Sequence, residues 1–202
     1  MKTILTLITI LGLFSRSFAQ QPDLVKTADS LSAEGDQLYK SEWASWYGSD
    51  IFEAQCKDKR ILSGGYISYD TGKGLNNIFF SKGDNPVVLA TISFEYGFNT
   101  QNYKLDTTSR KLSKSELELY TFRKKAVSEI YKDTLFKRFN NTSLNPIPII
   151  SNHQKKVYFL TGPVINGVVL FGNDYLVTFD KDNNITSKRK LHRNLISLHL
   201  WI

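Results

Sequence analysis

The first apolar pattern along the chain is typical of a helix. From Asp23 to about Trp46, apolar or small residues recur at spacings of four and three, which places them on one helix face: Leu24, Ala28, Leu31, Gly35 and Leu38. Pro22 precedes this segment, where its missing N–H costs little. Because Ala28 and Gly35 are small, the pattern predicts close packing of this face against another element.

The middle of the chain alternates between apolar runs and turn residues, as antiparallel strands do. Strands are predicted over Tyr66–Tyr69, Ile78–Phe80, Val87–Tyr96 and Asn102–Leu105. The third strand is the most regular, since apolar side chains occupy every second position in it. A Gly-Asp-Asn-Pro sequence at residues 83–86 predicts the turn that precedes this strand.

A second helix is predicted to begin after Ser113. Ser113 and Glu116 have the spacing of a capping box, in which each side chain binds the backbone N–H of the other residue. Apolar residues then recur with helical spacing at Leu119, Phe122, Ala126 and Ile130. The helix is expected to reach about Lys132 and to end before Asn145–Pro148, where two prolines require extended chain.

The last third of the chain reads as an antiparallel meander. Its predicted strands are Val157–Leu160, Val168–Phe171, Tyr175–Phe179, Ile185–Leu191 and Ile196–Ile202. Turn residues separate them, including an Asn-Gly pair at 166–167. The blocks together predict an α+β fold with two-layer packing: an N-terminal helix, antiparallel strands, a central helix and a C-terminal antiparallel meander.

The first nineteen residues have the pattern of a secretion signal. Lys2 supplies a positive start, the stretch from Thr3 to Phe14 is largely apolar, and Ser17-Phe18-Ala19 fits a small-x-small cleavage site. Crossing a bilayer takes about 20 apolar residues, so no transmembrane anchor is expected after removal of the leader. The sequence predicts an exported protein, periplasmic or secreted, with a signal peptide at 1–19, a helical segment at 20–55 and one α+β domain at 56–202.

The charge of the chain points to anionic partners. The net charge is +7, to which Lys2 and Arg16 of the leader contribute. A positive surface favours acidic glycans or membrane headgroups. Nucleic acid is not an expected partner of an exported protein, so the sequence favours an envelope protein or an anionic glycan. The basic runs Arg123–Lys125 and Lys188–Lys190 are interpreted as solvated faces of single elements.

The cysteine and histidine residues argue against several common sites. The single cysteine, Cys56, cannot form an internal disulfide and is predicted to be buried and unreactive. The histidines lack zinc-ligand spacing, and neither a metal nor another cofactor is predicted. Asp180–Thr186 resembles the first half of a calcium-binding loop, but the required glycine and glutamate are missing. A turn is therefore predicted there.

The hydrophobic pattern of the last hairpin predicts a strand register. Apolar residues from Tyr175 to Phe179 should share a face with apolar residues of the following strand. A three-residue loop at 182–184 achieves this by pairing Phe179 with Ser187 and Tyr175 with Leu191. The same register places Asp174 opposite His192, on the other face.

Asp174 and His192 are the candidate catalytic residues. A carboxylate that holds an imidazole could orient it for acid–base chemistry. The pair could equally be an ordinary cross-strand contact. The sequence assigns no nucleophile beside it, so both interpretations stay open.

An aromatic cluster supplies the candidate ligand-binding residues. Trp43, Trp46 and Tyr47 lie close together at the predicted end of the first helix, just before Gly48. Core packing is the favoured interpretation of this cluster. The alternative is a stacking platform for sugar rings.

Three hypotheses for function follow from these features. The first is a non-enzymatic binding module for a cell-envelope protein or glycan, which a flat aromatic patch near Trp43 and Trp46 would favour. The second is a hydrolase with a dispersed acid–base site, which a concave pocket containing Asp174 and His192 would favour. The third is a secreted inhibitor or effector that binds through an exposed loop such as Gly72–Asn77.

Overall fold

The computed structural model describes residues 23–199, so the predicted leader lies outside the described residues. Within that range, no helix is long and apolar enough to span a membrane. The helices are α1 (Leu24–Gln55), a 3-10 helix (Lys57–Leu62) and α2 (Lys114–Glu129). The strands are β1 (Ser63–Asp70), β2 (Leu75–Ser81), β3 (Val87–Phe94), β4 (Tyr103–Asp106), β5 (Arg110–Lys111), β6 (Thr142–Ser151), β7 (Gln154–Pro163), β8 (Val168–Gly172), β9 (Tyr175–Phe179), β10 (Ile185–Lys190) and β11 (Leu195–His199).

The strands between residues 23 and 199 form three antiparallel sheets. The first has the order β1-β2-β3-β4, with β5 also paired to β3. The second has the order β10-β9-β7-β6, and β8 pairs with β11 in a separate ribbon. The order of helix, strands, central helix and C-terminal antiparallel meander confirms the predicted α+β fold.

Helix α1 buries a different face from the predicted one. It continues past the expected end near Trp46 to Gln55. The predicted stripe is open to solvent at Leu24 and Leu31, which are 67% and 65% exposed, and no described residue outside the helix comes within 4 Å of a Cβ built on Gly35. The buried face instead consists of Ser41, Ala44, Ser45, Gly48 and Phe52. Small side chains let the helix backbone approach the sheet closely, so packing overrides the apolar pattern.

A buried polar cluster joins α1 to the first sheet. Ser41 Oγ donates to the carbonyl of Ser68 at 3.2 Å, and the hydroxyls of Ser45 and Ser68 lie 2.7 Å apart. Asn77 Nδ2 donates to Ser68 Oγ at 2.8 Å. A Cβ on Gly48 would lie 2.3 Å from Asn77 Oδ1. The close approach that these hydrogen bonds need therefore requires glycine at position 48.

Helix α2 lies between the two larger sheets. Its Tyr120 packs with residues of the first sheet, such as Phe80, while Phe122 and Ala126 pack with residues of the second, such as Phe159. The predicted capping box is confirmed, because Ser113 and Glu116 make both reciprocal hydrogen bonds. The helix ends at Glu129, slightly before the predicted end, and turns follow it.

The proline-containing segment forms part of a strand. Sequence predicted only extended chain over Asn145–Pro148, and the structure places it inside β6, at the edge of the second sheet. Pro146 pairs with Phe159 and Pro148 with Val157. The two prolines are two residues apart, so both nitrogens point to the same side of the strand. An edge strand tolerates this because its outer side has no hydrogen-bonded neighbour.

The predicted register of β9 and β10 is wrong. Phe179 pairs with Ile185 rather than Ser187, and Tyr175 pairs with Lys190. A bulge between Ile185 and Ser187 shifts the remaining pairs. The prediction assumed that one face of β9 is solvated, whereas all five of its residues are buried. A strand buried on both faces does not select a register by alternation.

The two basic runs are only partly solvated, contrary to the prediction. Arg123 is 7% exposed and lies on the inner side of α2. Lys188 is half-buried, and its Nζ lies 2.9 Å from a carboxylate oxygen of Glu129 and 2.6 Å from one of Asp133. The long aliphatic parts of these side chains pack inward. A run of charged residues in the sequence therefore need not form one solvent-exposed face.

The single cysteine is buried, as predicted. Cys56 is 1% exposed and packs in the core between α1 and the first sheet. Burial raises the pKa of its thiol, so the reactive thiolate is scarce at neutral pH. The side chain therefore acts as a small core residue.

The chain divides after Gly35 into two units, of which residues 36–202 form the larger. The described strands and the buried residues of α1 from Ser41 onward belong to this larger unit. The domain boundary that the sequence predicted after residue 55 stays a prediction.

Candidate functional site

A groove of about 290 Å³ opens beside the second half of α1. Helix α1 contributes residues at helical spacing along one face: Glu42, Ser45, Trp46, Ser49 and Asp50. Tyr66 of β1 and Asn145, Gly162 and Pro163 of the β6–β7 hairpin complete the lining. We call this the Trp46 groove.

The three residues of the aromatic cluster have different environments. Trp43 packs edge-on against Phe94, with ring centroids 5.0 Å apart, and Tyr47 lies 4.9 Å from Trp43. Core packing is therefore confirmed for Trp43 and Tyr47. For Trp46 it is wrong, because this residue is 63% exposed. Each helical residue turns by about 100°, so residues 43 and 47 share a face while residue 46 points to the next one.

Glu42 is the most unusual group of the Trp46 groove. Its Oε1 accepts a hydrogen bond from Asn145 Nδ2 at 3.2 Å. Its Oε2 is buried and has no hydrogen-bond partner in the described part of the chain. Burial raises the pKa of this carboxyl group, although the hydrogen bond from Asn145 opposes the shift. An unpartnered buried carboxyl oxygen is costly, and a ligand donor would relieve that cost.

The other polar groups of the groove add a donor and an acceptor. Burial, together with the charge of Glu42, raises the pKa of Tyr66 to about 12, so its hydroxyl keeps its proton at neutral pH. Asp50 lies at the exposed end of the same helix face. The groove therefore offers hydroxyl, amide and carboxyl groups beside one open indole ring.

The spacing of the two acids does not favour glycoside cleavage. Glu42 and Asp50 are eight residues apart on α1, which corresponds to a rise of about 12 Å. This rise is the separation of the two backbone positions along the helix axis. Glycosidases that use two carboxyl groups hold them about 5 to 9.5 Å apart. The backbone spacing of Glu42 and Asp50 exceeds this range.

The structure brings Asp174 and His192 together despite the register error. His192 Nδ1 lies 3.0 Å from Asp174 Oδ2, and Asp174 Oδ1 accepts the backbone N–H of Thr161 at 2.8 Å. The Asp174 side chain is 15% exposed and that of His192 is 55% exposed. The pair lines a groove of about 580 Å³, which we call the His192 groove.

The remaining lining of the His192 groove limits its chemistry. Most of the lining is apolar, from Leu160, Leu170, Phe171, Leu191 and Ile196. The hydroxyl of Thr161 donates to the carbonyl of Asn173 at 2.8 Å, so it is not activated as a nucleophile. The reaction that this arrangement could support is attack by a water molecule that His192 Nε2 deprotonates.

The structure also describes two further sequence-derived candidates, the turn at Asp180 and the loop at Gly72–Asn77. Asp180 Oδ1 accepts the backbone N–H groups of Asp182 and Asn184, which confirms the predicted turn. In residues 23–199, no group of three or more His, Cys, Asp or Glu residues is placed to hold a metal ion. Of the loop predicted at Gly72–Asn77, only the residues before Leu75 lie outside β2, and Asn77 is fully buried. The part of the loop before β2 is a short turn, and binding of a partner through this loop stays a prediction.

Sequence reasoning missed Glu42, Tyr66 and Asn145 as groove residues. A signal was present for Glu42: polar residues flank Trp46 at helical spacing on the face that carries Ser45 and Ser49. The prediction ended the helix at Trp46, which hid this periodicity. Tyr66 and Asn145 come from distant strands, so no local pattern could connect them.

No protein-family model matches the chain. Neither a curated protein nor a solved structure shows significant similarity to it.

Proposed function

We propose that the protein is a non-enzymatic binding module that recognises a neutral sugar chain in the Trp46 groove. The observation that carries this proposal is the exposed Trp46 ring beside the unpartnered buried Oε2 of Glu42. Export through the N-terminal leader, which stays a prediction, would give the protein access to glycans of the cell envelope.

The chemistry of a sugar matches these groups. A pyranose ring has an apolar face of C–H groups, which can stack on an indole ring. Its hydroxyl groups can donate to the carboxyl oxygen of Glu42, and hydrogen bonds to charged acceptors are about twice as strong as neutral ones. Few, well-placed polar groups around an apolar surface are typical of small-molecule sites.

The two acids favour an uncharged ligand at this groove. Glu42 and Asp50 both line it, and like charges across an interface disfavour binding. The preference for an anionic glycan that the net charge predicts therefore does not extend to the Trp46 groove. The alternative ligand of this groove is an envelope protein that presents neutral side chains.

Trp46→Ala is expected to weaken sugar binding at least about tenfold, which corresponds to about 1.4 kcal/mol. Trp46 is 63% exposed, so the variant should fold normally. The measurement is a glycan-array screen of the protein, followed by calorimetric titration of the best neutral oligosaccharide. Tyr131→Ala is the matched control, because Tyr131 is 72% exposed and does not line the groove. Equal affinity in all three proteins, or no glycan bound at all, would reject the proposal.

A second candidate function is hydrolysis in the His192 groove. It is favoured by one observation, the 3.0 Å contact between His192 and Asp174 inside a groove of about 580 Å³. In this mechanism Asp174 orients the imidazole, and His192 Nε2 removes a proton from water.

His192→Ala is expected to lower any hydrolytic activity of the protein about 100-fold or more, the usual contribution of a general base. Since the His192 side chain is 55% exposed, the melting temperature should change little. The test is a screen with chromogenic esters, phosphates and glycosides, with His153→Ala as the control variant. Equal turnover by wild type and His192→Ala would show that the contact between Asp174 and His192 is structural and not catalytic.

A further inference from the structure

We propose that Arg123 is the centre of a binding site for a small oxyanion, in a cavity between α2 and the β1–β2 edge of the first sheet. The cavity has a volume of about 260 Å³ and is separate from both grooves. Its lining includes Arg123 and two lysines, Lys82 and Lys124. The proposal is independent of sugar binding in the Trp46 groove.

Arg123 is a buried cation without an anionic partner. It is 7% exposed, and within residues 23–199 the groups whose charge acts on its guanidinium are tyrosines and not carboxylates. Its Nε is buried and makes no hydrogen bond in the described part of the chain. The guanidinium instead lies over the rings of Phe80 and Tyr66, at 5.3 and 5.8 Å from their centroids.

The charge on this guanidinium persists despite its burial. Burial lowers the pKa of Arg123 to about 10, so the group stays protonated at neutral pH. A buried charge without a counter-ion is costly. The aromatic rings offset only part of that cost, because a cation–π contact is weaker than an ion pair in the same environment. An oxyanion in the cavity would supply the missing partner.

The backbone next to Arg123 is shaped to admit the guanidinium. A bulge at Gly64 interrupts the pairing of β1 with β2, between Ser63 and Gly65. Gly65 has a φ of +132°, which side-chain-bearing residues rarely adopt, and a Cβ there would lie 3.1 Å from Arg123 Nη2. Glycine at position 65 therefore leaves the space that the charged group occupies.

The surrounding charges favour an anion. Lys82 Nζ donates to the carbonyl of Ile61 at 2.8 Å. This bond holds the charge of Lys82 near the cavity, and its acceptor is a neutral carbonyl oxygen. Lys124 forms an exposed ion pair with Asp84 at 3.2 Å. Such surface pairs are weak, so Lys124 can turn toward a ligand.

The ligand class follows from the geometry of arginine. A guanidinium presents a planar set of N–H donors that matches two oxygens of a phosphate, sulfate or carboxylate. The cavity of about 260 Å³ has room for such a group and part of the molecule that carries it. The oxyanion could be a free inorganic ion or an ester group on a larger molecule.

Nuclear magnetic resonance of the ¹⁵N-labelled protein tests the site directly. The Nε–Hε signal of Arg123 is expected to shift saturably on titration with sodium phosphate or sodium sulfate, and not with sodium chloride at equal ionic strength. Titration with glucose 6-phosphate distinguishes the sources: a saturable shift with the ester alone supports an ester ligand, and a shift with the inorganic ion supports a free one. No saturable shift with any of these probes up to about 50 mM, a range that detects even millimolar dissociation constants, would overturn the proposal.

Variants separate a built site from general surface charge. Lys124→Gln is expected to weaken phosphate or sulfate binding about threefold, the modest effect of one exposed charge. Lys125→Gln is the matched control, since Lys125 is the next residue and does not line the cavity. Equal weakening by both variants would overturn the site in favour of unspecific attraction. Arg123→Met should abolish binding of phosphate or sulfate. If that variant does not fold, the comparison of Lys124→Gln with Lys125→Gln decides whether the site exists.

Discussion

Acidification from about pH 5 to about pH 2 is expected to remove about 3 kcal/mol of folding stability through the carboxyl group of Glu116 alone. Glu116 is 1% exposed. Arg110 binds both of its oxygens at 2.7 Å, and the backbone N–H of Ser113 donates to Oε2 at 2.7 Å. The hydroxyl of Tyr69 donates to Oε1, also at 2.7 Å.

The direction of this pH effect follows from the pKa of Glu116. Burial raises the pKa, but the hydrogen bonds from Arg110, Tyr69 and the Ser113 backbone outweigh burial and lower it from 4.5 to about 2. A carboxyl group with a depressed folded-state pKa stabilises the protein above the unfolded-state pKa, and that stabilisation is lost as the pH falls through the folded-state value. The shift corresponds to about 3 kcal/mol.

Urea unfolding of wild type and Glu116→Gln at several pH values checks this expectation. The variant keeps the size of the side chain but has no charge, so its stability should lack this component of the pH dependence between about pH 5 and about pH 2. At neutral pH it should be about 3 kcal/mol less stable than wild type, because Arg110 loses its carboxylate partner. Glu118→Gln is the matched control, since the Glu118 side chain is 42% exposed and its pair with Lys155 is partly solvated.

A wild-type protein whose stability falls with pH in parallel with Glu116→Gln would contradict the assignment. The acid-sensitive groups would then lie elsewhere in the chain. A loss of stability in Glu118→Gln as large as that in Glu116→Gln would also contradict it, because burial would no longer distinguish the two acids.

Gly48→Ala is expected to destabilise the protein by about 2 kcal/mol, although alanine normally stabilises a helix by about 1 kcal/mol relative to glycine. The new Cβ would lie 2.3 Å from Asn77 Oδ1 and 2.9 Å from Asn77 Cβ. The Cβ of Asn77 cannot move without its backbone, so α1 and β2 must separate. That separation would lengthen the buried hydrogen bonds around Ser68.

Gly35→Ala, in the same helix, is the matched control and should stabilise the protein by about 1 kcal/mol. Among the residues that the structure describes, none outside α1 comes within 4 Å of a Cβ at Gly35, so only the helix propensity changes. Thermal and urea unfolding of the two variants should therefore give changes of opposite sign. Stabilisation by both substitutions would show that α1 does not approach β2 as closely as the structure has it.

The features that sequence predicted correctly depend on local interactions. The capping box at Ser113 needs only residues three apart, and both of its hydrogen bonds form. The alternation of Val88, Ala90, Ile92 and Phe94 in β3 reflects the pleat of a strand with one face against α1 or α2, and all four residues are buried. Elsewhere the same rule failed, because β9 is buried on both faces and a bulge shifts its register.

The candidate sites were less predictable because their parts come from distant segments. Asp174 and His192 were paired from the hairpin pattern, and the structure does bring them together, although through a different register. Trp46 was grouped with Trp43 as core, whereas the helix turns it outward next to Glu42. Its polar neighbours from β1 and the β6–β7 hairpin meet it only in the folded chain.

Local signals in the sequence were enough to predict the order of the helical and strand blocks, the start of α2 and the burial of Cys56, because caps, turns and side-chain polarity act within a few residues or at one residue. Long-range packing sets which face of α1 is buried, the exposure of Trp46 and the burial of Arg123, whose Nε has no hydrogen-bond partner among the described residues. These outcomes depend on which distant surfaces fit closely together. Close packing rewards shape as well as hydrophobicity, so small residues such as Ser45 and Gly48 form the contact while Leu24 and Leu31 stay exposed.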